Sequence, residues 1–423
     1  MERSGTIAAV ATAPGRGGIA VVRVSGPEAF GVHLAIAGRE ARPGRVTFAA
    51  LRDSSGRLLD RAVVIAFKGP SSYTGEDVVE FQCHGGSVTP RRVLDACFAA
   101  GARLARRGEF TERAFLNGRL ALSEAEAVLE LIDARSSRAA DDALARLDGA
   151  SGAACRALYD RALALSAELE HSLDVSEDEL PAGFLEGAAV ELDALAAAVR
   201  AELARARAGR LLREGALVVL AGPPNAGKSS LMNVLLGCDR AIVSDVPGTT
   251  RDFIEESLEV DGWPVRLTDT AGIRGTSDAL EVDGIGRAKA LMERADIVVE
   301  LDFDSGLPAE RTLRVHAKCD LGRGAGLNVS ALTGEGIDDL RGELAARLVR
   351  LAGVAADGTH TPGERERSEL EAALAALVAA PREDVVLLAG AVRSAAETLG
   401  RLAGAVYSED LLDSLFSRFC VGK

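Results

Sequence analysis

Gly222-Pro-Pro-Asn-Ala-Gly-Lys-Ser229, preceded by the apolar run Ala216–Ala221 and followed by an amphipathic segment, reads as strand, phosphate loop and helix. The glycines let backbone N–H groups curl around phosphate oxygens at a helix N-terminus. Lys228 then reaches the outer phosphates and the Ser229 hydroxyl suits Mg²⁺, so a nucleoside triphosphate is the expected ligand. Three later segments narrow the base and the reaction. Pro247-Gly-Thr-Thr-Arg-Asp252 supplies Thr250, a threonine able to close on Mg²⁺ and the γ-phosphate. Asp269-Thr-Ala-Gly272 puts a carboxylate behind Mg²⁺ and the Gly272 N–H near the γ-phosphate. Lys318-Cys-Asp320 and Ser330-Ala-Leu332 fall where a guanine site lies. Asp320 accepts from both N–H groups of the guanine edge, which adenine cannot match, and the Ser330-Ala331 backbone meets the keto oxygen. The residues expected around GTP are therefore Asn225, Ala226, Gly227, Lys228, Ser229 and Ser230; Ser244, Asp245, Val246, Pro247, Gly248, Thr249 and Thr250; Asp269, Thr270, Ala271 and Gly272; and Lys318, Asp320, Ser330, Ala331 and Leu332.

Two positions depart from the usual pattern of such a site. GTPases normally show Asn-Lys-x-Asp, and here alanine stands first, in Ala317-Lys-Cys-Asp320. Alanine has no amide to tie the base loop to the phosphate loop, which predicts faster nucleotide exchange with guanine preference retained through Asp320. After Asp-x-x-Gly, Ile273 stands where many GTPases carry a water-orienting glutamine. The missing charge is assigned to K⁺, ligated by Asn225 with Ser244, Val246 and Thr249, standing in for an arginine finger. The stretch between the strands at 297–301 and 313–317 has little room for a crossover helix, so one helix of the domain is expected to shrink to a turn.

At 423 residues, 48% apolar and only 4% aromatic, the chain suits several domains with cores of Ala, Leu and Val. Its net charge of −14 opposes phosphate binding, and no basic stripe with interleaved aromatics offsets it, so weak nucleic-acid affinity is expected for this chain alone. The cysteines at 83, 97, 155, 238, 319 and 420 form no Cys-x-x-Cys pair, which points away from zinc and disulfides and fits a reducing cytoplasm. Neither a secretory leader nor an apolar run of membrane-spanning length is read. His84, beside a glycine turn, reads as structural rather than as a metal ligand.

The N-terminal part alternates β-like runs at 19–24, 62–67 and 77–81 with glycine turns and one amphipathic stretch at 90–100, an α+β pattern. From about Ser123, read as an N-cap, the chain turns helical. Leu158, Leu165, Leu169, Val190, Leu195, Val199 and Leu203 keep helical spacing and read as core. An acidic loop at 176–187 separates two helices, and a Gly/Thr/Pro linker at 352–363 precedes a second helical stretch. There Leu370, Leu374, Leu377 and Val378 form one stripe and residues 387–402 another.

Motifs in every part of the chain carry a family resemblance. Pro14-Gly-Arg-Gly-Gly18, SYTGEDVVEFQCHGG at 72–86, GEFTERAFLNGRLALSEAEAVLELIDA at 108–134, the phosphate loop and the terminal Phe419-Cys-Val-Gly-Lys423 together resemble the MnmE (TrmE) family of tRNA-modification GTPases. The resemblance implies a multidomain fold: an α+β folate-binding and dimerisation domain at 1–118, a discontinuous all-α domain at 119–213 and 352–423, and an inserted α/β P-loop GTPase domain at 214–351. It also implies a K⁺-driven homodimer and an FAD-carrying partner of the MnmG type. That complex uses a 5,10-methylene- or 5-formyl-tetrahydrofolate one-carbon unit to place an aminomethyl or carboxymethylaminomethyl group on carbon five of wobble uridines. By resemblance the folate site maps onto Arg23, Glu80, Arg119 and Lys423, and Glu281 orients the water beside Lys228, Thr250 and Gly272. Cys420 is implied in modification. The folate residues also make chemical sense, a carboxylate for the pterin edge and cations for the glutamyl tail. The rival reading is a GTP-switched ribosome-assembly or RNA-binding protein without covalent chemistry, which leaves the N-terminal motifs and the Cys-x-Gly-Lys end without purpose.

Overall fold

The computed structural model describes residues 5–175, 180–238, 255–270, 278–353, 360–403 and 409–423. Contacts divide the chain into two units, Met1–Leu129 with Gly404–Lys423, and Glu130–Ala403. The first runs β1 (Ile7–Val10), β2 (Ile19–Ser25), α1 (Ala29–Ala37), β3 (Val46–Arg52), β4 (Leu58–Phe67), β5 (Val78–His84), α2 (Thr89–Ala99), β6 (Arg103–Leu104), α3 (Glu109–Leu116) and the start of α4 (Leu122–Asp133), whose last residues, from Glu130, belong to the second. Its sheet is ordered β3-β4-β5-β2-β1-β6. Alternation decides the faces. In β2, Ala20, Val22 and Val24 point into a core with Val64, Val79 and Phe81 and with Val32 and Val93 from the helices. Arg23, on the opposite face of β2, pairs in register with Glu80 of β5.

In the second unit, α5 (Ser137–Leu147), α6 (Ala150–Leu173) and α7 (Phe184–Glu214) precede a βα array. That array is β7 (Ala216–Ala221), α8 (Lys228–Cys238), β8 (Glu255–Val260), β9 (Trp263–Asp269), α9 (Asp278–Arg294), β10 (Ile297–Leu301), β11 (Thr312–Ala317), β12 (Leu327–Val329) and α10 (Ile337–Ala352). Then come α11 (Glu364–Ala379), α12 (Val385–Leu402) and, in the first unit, α13 (Glu409–Phe416). The sheet is ordered β12-β11-β10-β7-β9-β8, parallel except for the β8–β9 hairpin. β7 is buried along its whole length, as a central parallel strand demands. β10 and β11 pair in parallel although residues 302–311 between them contain no helix, so the short connection does reduce one crossover to irregular chain.

Helices from both sides of the array share one core. Leu165 and Leu169 of α6, Leu192, Leu195 and Val199 of α7, Leu370 and Leu377 of α11 and Leu388, Val392 and Leu399 of α12 pack together. Each contributes roughly 1.5–3 kcal/mol of hydrophobic stabilisation. The βα array is therefore inserted into a discontinuous helical domain.

Several finer expectations need correction. Val190 is 70% and Val378 54% exposed, because the buried phase of α7 runs through Ala188, Leu192, Leu195 and Val199 and that of α11 through Leu370, Ala373 and Leu377. Leu387, in the first turn of α12, is exposed for the same reason. Ser123 does not cap α4. That helix starts one residue earlier, and the Glu124 carboxylate accepts from the Ala121 N–H at 2.8 Å. The expected loop at 176–187 ends sooner, with α7 beginning at Phe184.

Candidate functional site

In the second unit the phosphate loop joins the buried end of β7 to the first turn of α8. Lys228 is 5% exposed, and its ammonium donates to the carbonyls of Gly222 and Pro223, both at 2.8 Å. Asn225 sits at φ +62°, a conformation asparagine tolerates better than most residues. The Ser229 hydroxyl donates to an Asp269 carboxylate oxygen at 2.6 Å, and Asp269 is buried at the end of β9. A hydroxyl and a carboxylate at this spacing beside a phosphate loop form the hard-oxygen donor set that fits Mg²⁺. Thr270 turns its hydroxyl back onto the Leu220 carbonyl at 2.9 Å, so that group braces β7 and β9. Ala226 packs against the core and Ser230 is exposed on α8.

The base loop closes over the other end. Lys318, at φ +58°, donates through Nζ to the Asn225 carbonyl at 2.6 Å. That bond joins base loop to phosphate loop where Ala317, buried, offers only a methyl. Asp320 accepts from the Ser330 hydroxyl at 2.5 Å, which fixes its carboxylate, and the Leu332 N–H donates to the same hydroxyl at 3.3 Å. Ser330 is fully buried and Leu332 is 85% exposed. Ala331 is half-buried between them. The expected roles of Ser244, Asp245, Val246, Pro247, Gly248, Thr249, Thr250, Ala271, Gly272 and Ile273 lie outside the described residues. Glu281 falls in the first turn of α9, with its side chain outside them too.

The first unit gathers a different set. Arg23 Nε donates to Glu80 Oε1 at 2.9 Å, and its guanidinium stands over the rings of Tyr73 and Phe110, 5.3 and 5.6 Å from their centroids. The C-terminal tail threads along residues 107–110. Arg107 Nε donates to the Phe419 carbonyl at 2.7 Å, the Gly108 N–H to that of Cys420 at 3.3 Å and the Phe110 N–H to that of Lys423 at 3.2 Å. Phe419 is fully buried and anchors the tail. At Gly422 a Cβ would fall 2.3 Å from the Val10 carbonyl oxygen, so only glycine lets the tail lie this close to β1. Lys423 thereby comes to Arg23 and Glu80: burial and the Arg23 charge lower its pKa, against the opposing effect of Glu80. Three of the four residues expected at a folate site are thus together. The fourth, Arg119, is exposed with its Cγ near Gly75, and no bond joins it to the others among the described residues.

Cys420 is exposed, so it is not a buried apolar filler. Cys83, Cys97 and Cys155 are buried, and burial pushes their thiols up to about 11, 12 and 12. His84 Nδ1 lies 2.9 Å from an Asp60 carboxylate oxygen on β4, and the His84 backbone N–H donates to the same carboxylate at 2.7 Å. Sequence reasoning missed Tyr73 and Phe110 as walls of the Arg23 site. Tyr73 stood inside a quoted motif, and aromatic residues are scarce enough in this chain to have drawn notice.

A parallel sheet, a phosphate loop at its central strand, an Asp–Ser pair at the loop and a carboxylate-bearing base loop define the class of P-loop GTPases. The model for the GTP-binding protein TrmE N-terminus matches residues 6–119, and that for the MnmE helical domain matches residues 122–420. The tRNA modification GTPase MnmE of Alkalilimnicola ehrlichii is 43% identical over 99% of this chain and 99% of its own length. That of Bordetella petrii is 44% identical over 99% of this chain and 98% of its own. Among solved structures, the G domain of the T. maritima FeoB iron transporter covers 32% of this chain and 98% of that one at 25% identity, with a TM-score of 0.23 that carries no argument. The chain belongs to the MnmE family and is a GTPase acting in tRNA modification.

Proposed function

We propose that the chain is a K⁺-stimulated GTP hydrolase. In this reading it works as a cytoplasmic homodimer with an FAD-containing, MnmG-type partner to install an aminomethyl or carboxymethylaminomethyl group on carbon five of wobble uridines. The division at 118/119, 213/214 and 351/352 is part of the same reading. The observation that carries the GTPase half is the Ser229–Asp269 contact beside Lys228. In it, Lys228 brings positive charge to the outer phosphates, Ser229, Thr250 and Asp269 hold Mg²⁺, the Gly272 N–H meets the γ-phosphate and Glu281 orients the water. Asn225, Ser244, Val246 and Thr249 hold K⁺. Bound, the two cations neutralise charge that develops between the β- and γ-phosphates.

The Arg23–Glu80–Lys423 cluster over Tyr73 and Phe110 supports the folate half. A carboxylate and two cations, with Arg23 backed by aromatic rings, suit a pterin joined to an anionic tail, a 5,10-methylene- or 5-formyl-tetrahydrofolate. Arg119 adds a cation from a flexible side chain, and the exposed Cys420 lies in the same tail as Lys423. GTP turnover by the full chain in K⁺ against Na⁺ is the direct test, with turnover expected to fall at least tenfold in Na⁺. Equal rates would overturn the cation assignment. Wobble uridines lacking the added group in cells without the chain, read by mass spectrometry, would support the modification chemistry.

A further inference from the structure

The residue just ahead of the base loop has unusual surroundings. His316, on β11, faces an acceptor at each ring nitrogen: Asp302 Oδ1 lies 2.6 Å from Nδ1 and the Gly322 carbonyl 3.0 Å from Nε2. A carbonyl cannot donate, and neither can an ionised carboxylate, so both bonds form only when both nitrogens carry hydrogen. The geometry is complementary to imidazolium. Gly324 lies flat on the ring, where a Cβ would fall 2.4 Å from Nδ1, so the loop is fitted to this side chain.

One end of this bridge belongs to the guanine loop and the other anchors it to the neighbouring strand. Asp302 follows β10 at the start of the helix-free connection. Gly322 closes the turn that carries Lys318 and Asp320, through Leu321 N–H to the Lys318 carbonyl at 2.9 Å and Gly322 N–H to the Cys319 carbonyl at 3.3 Å. Taking Asp320 as the guanine acceptor expected from the sequence, on which this inference rests, we propose that protonated His316 is the positioning residue of the guanine loop, holding its Gly322 turn to Asp302 at the end of β10, and that nucleotide retention loosens as pH rises.

Charged neighbours do not compete for the ring. Arg314, two residues back on β11, is held by Asp304 at 2.5 Å and lies 3.5 Å from Glu300 of β10. Lys318 is on the Asn225 carbonyl, Arg323 on Glu335 at 2.6 Å and Asp320 on Ser330. The His316 pKa is raised chiefly by the Asp302 bond, which outweighs desolvation. The sign follows from that direction. The bridge is intact below the ordinary histidine value of about 6.5 and is lost as pH climbs through the raised one. Asp302 retains the remaining proton at Nδ1, so Nε2 is left with a lone pair against the Gly322 carbonyl. A loop that is held only part of the time binds with affinity reduced by that fraction.

Release of a fluorescent GDP analogue from the full chain, followed from pH 5.5 to 8.5 at fixed ionic strength, tests this. Release should accelerate on the order of three- to tenfold across the window, the worth of one modest hydrogen bond. His316→Gln should release fast and without that pH dependence, and Asp302→Asn should move the midpoint to lower pH. A pH-independent rate in the unaltered chain, or an unchanged profile in both variants, would overturn the role of His316 while leaving the guanine site standing. Failure to bind the analogue at any pH would overturn both.

Discussion

Arg146 has no solvent exposure, yet it carries a full charge among helices. It bonds Glu130, lies 3.4 Å from Glu366 and sits below the Gly363 backbone, while Glu366 also accepts from Ser151 at 2.5 Å and from the Gly363 N–H at 2.7 Å. Burial works against the Glu366 carboxylate, but Arg146, Ser151 and that N–H together hold it below the usual carboxylate range. Such a cluster gives little net stability over an apolar one, but its breakage is costly because the remaining charges cannot be rehydrated. Arg146→Met should therefore cost about 3–5 kcal/mol in urea unfolding. Adding Glu366→Gln to that variant should recover part of the loss, since the amide still bonds Ser151 without leaving a buried charge. A double variant no more stable than Arg146→Met would show that packing, not charge, is at stake. None of this was legible in the sequence, where an arginine at helical spacing reads as a solvated face. The phosphate loop was legible because its chemistry is contiguous from residue 222 to residue 229. Arg23, Glu80 and Lys423, up to 400 residues apart in sequence, were placed together only by resemblance.

Among the elements, α5 has the most to connect. Its first turn grips the β8–β9 hairpin: Ser137 donates to Glu259 at 2.9 Å, Arg138 to the Asp261 carbonyl at 2.8 Å, and the Arg138 guanidinium stands 5.4 Å above the Trp263 ring. Its middle holds the segment entering α11, where Asp142 accepts from the Thr361 N–H at 2.7 Å and from its hydroxyl at 2.9 Å. One helix thus touches both the hairpin lying in sequence between the Thr250 and Gly272 segments and the chain leaving the GTPase array. Periodicity located the helices of this region but not their phase, because alanine-rich segments offer a weak contrast between faces; Val190 and Val378 were misassigned for that reason. Trp263 is the sole tryptophan and 2% exposed, so its emission reports on this junction alone. Arg138→Ala removes the cation and two hydrogen bonds. It should shift that emission to longer wavelength and cost about 1 kcal/mol. Unchanged emission would mean that α5 does not cover the indole in solution.

For the molecule as a whole, charge sets the terms of its dealings with tRNA. Sixty-three acidic residues against forty-nine Lys and Arg leave −14, and many of the arginines are already engaged by the chain's own carboxylates. Arg367 lies between Glu364 and Glu371, Arg401 on Glu369, Arg161 on Glu191 and Arg393 on Glu170. Each such pair is worth little to stability at the surface, but it occupies a guanidinium that would otherwise displace a counterion from a phosphate. Nucleic-acid affinity scales with the number of phosphates neutralised, and so does its loss on adding salt. The chain alone should therefore bind tRNA weakly at physiological salt and with a shallow salt slope, and binding should tighten at least tenfold when the proposed FAD-carrying partner is added. Filter binding across 50 to 200 mM salt, with and without that partner, measures both quantities. Tight binding by the chain alone with a steep slope would mean that the tRNA meets a local cationic surface whose field overcomes the net charge, and the partner would then not be the main source of phosphate contacts.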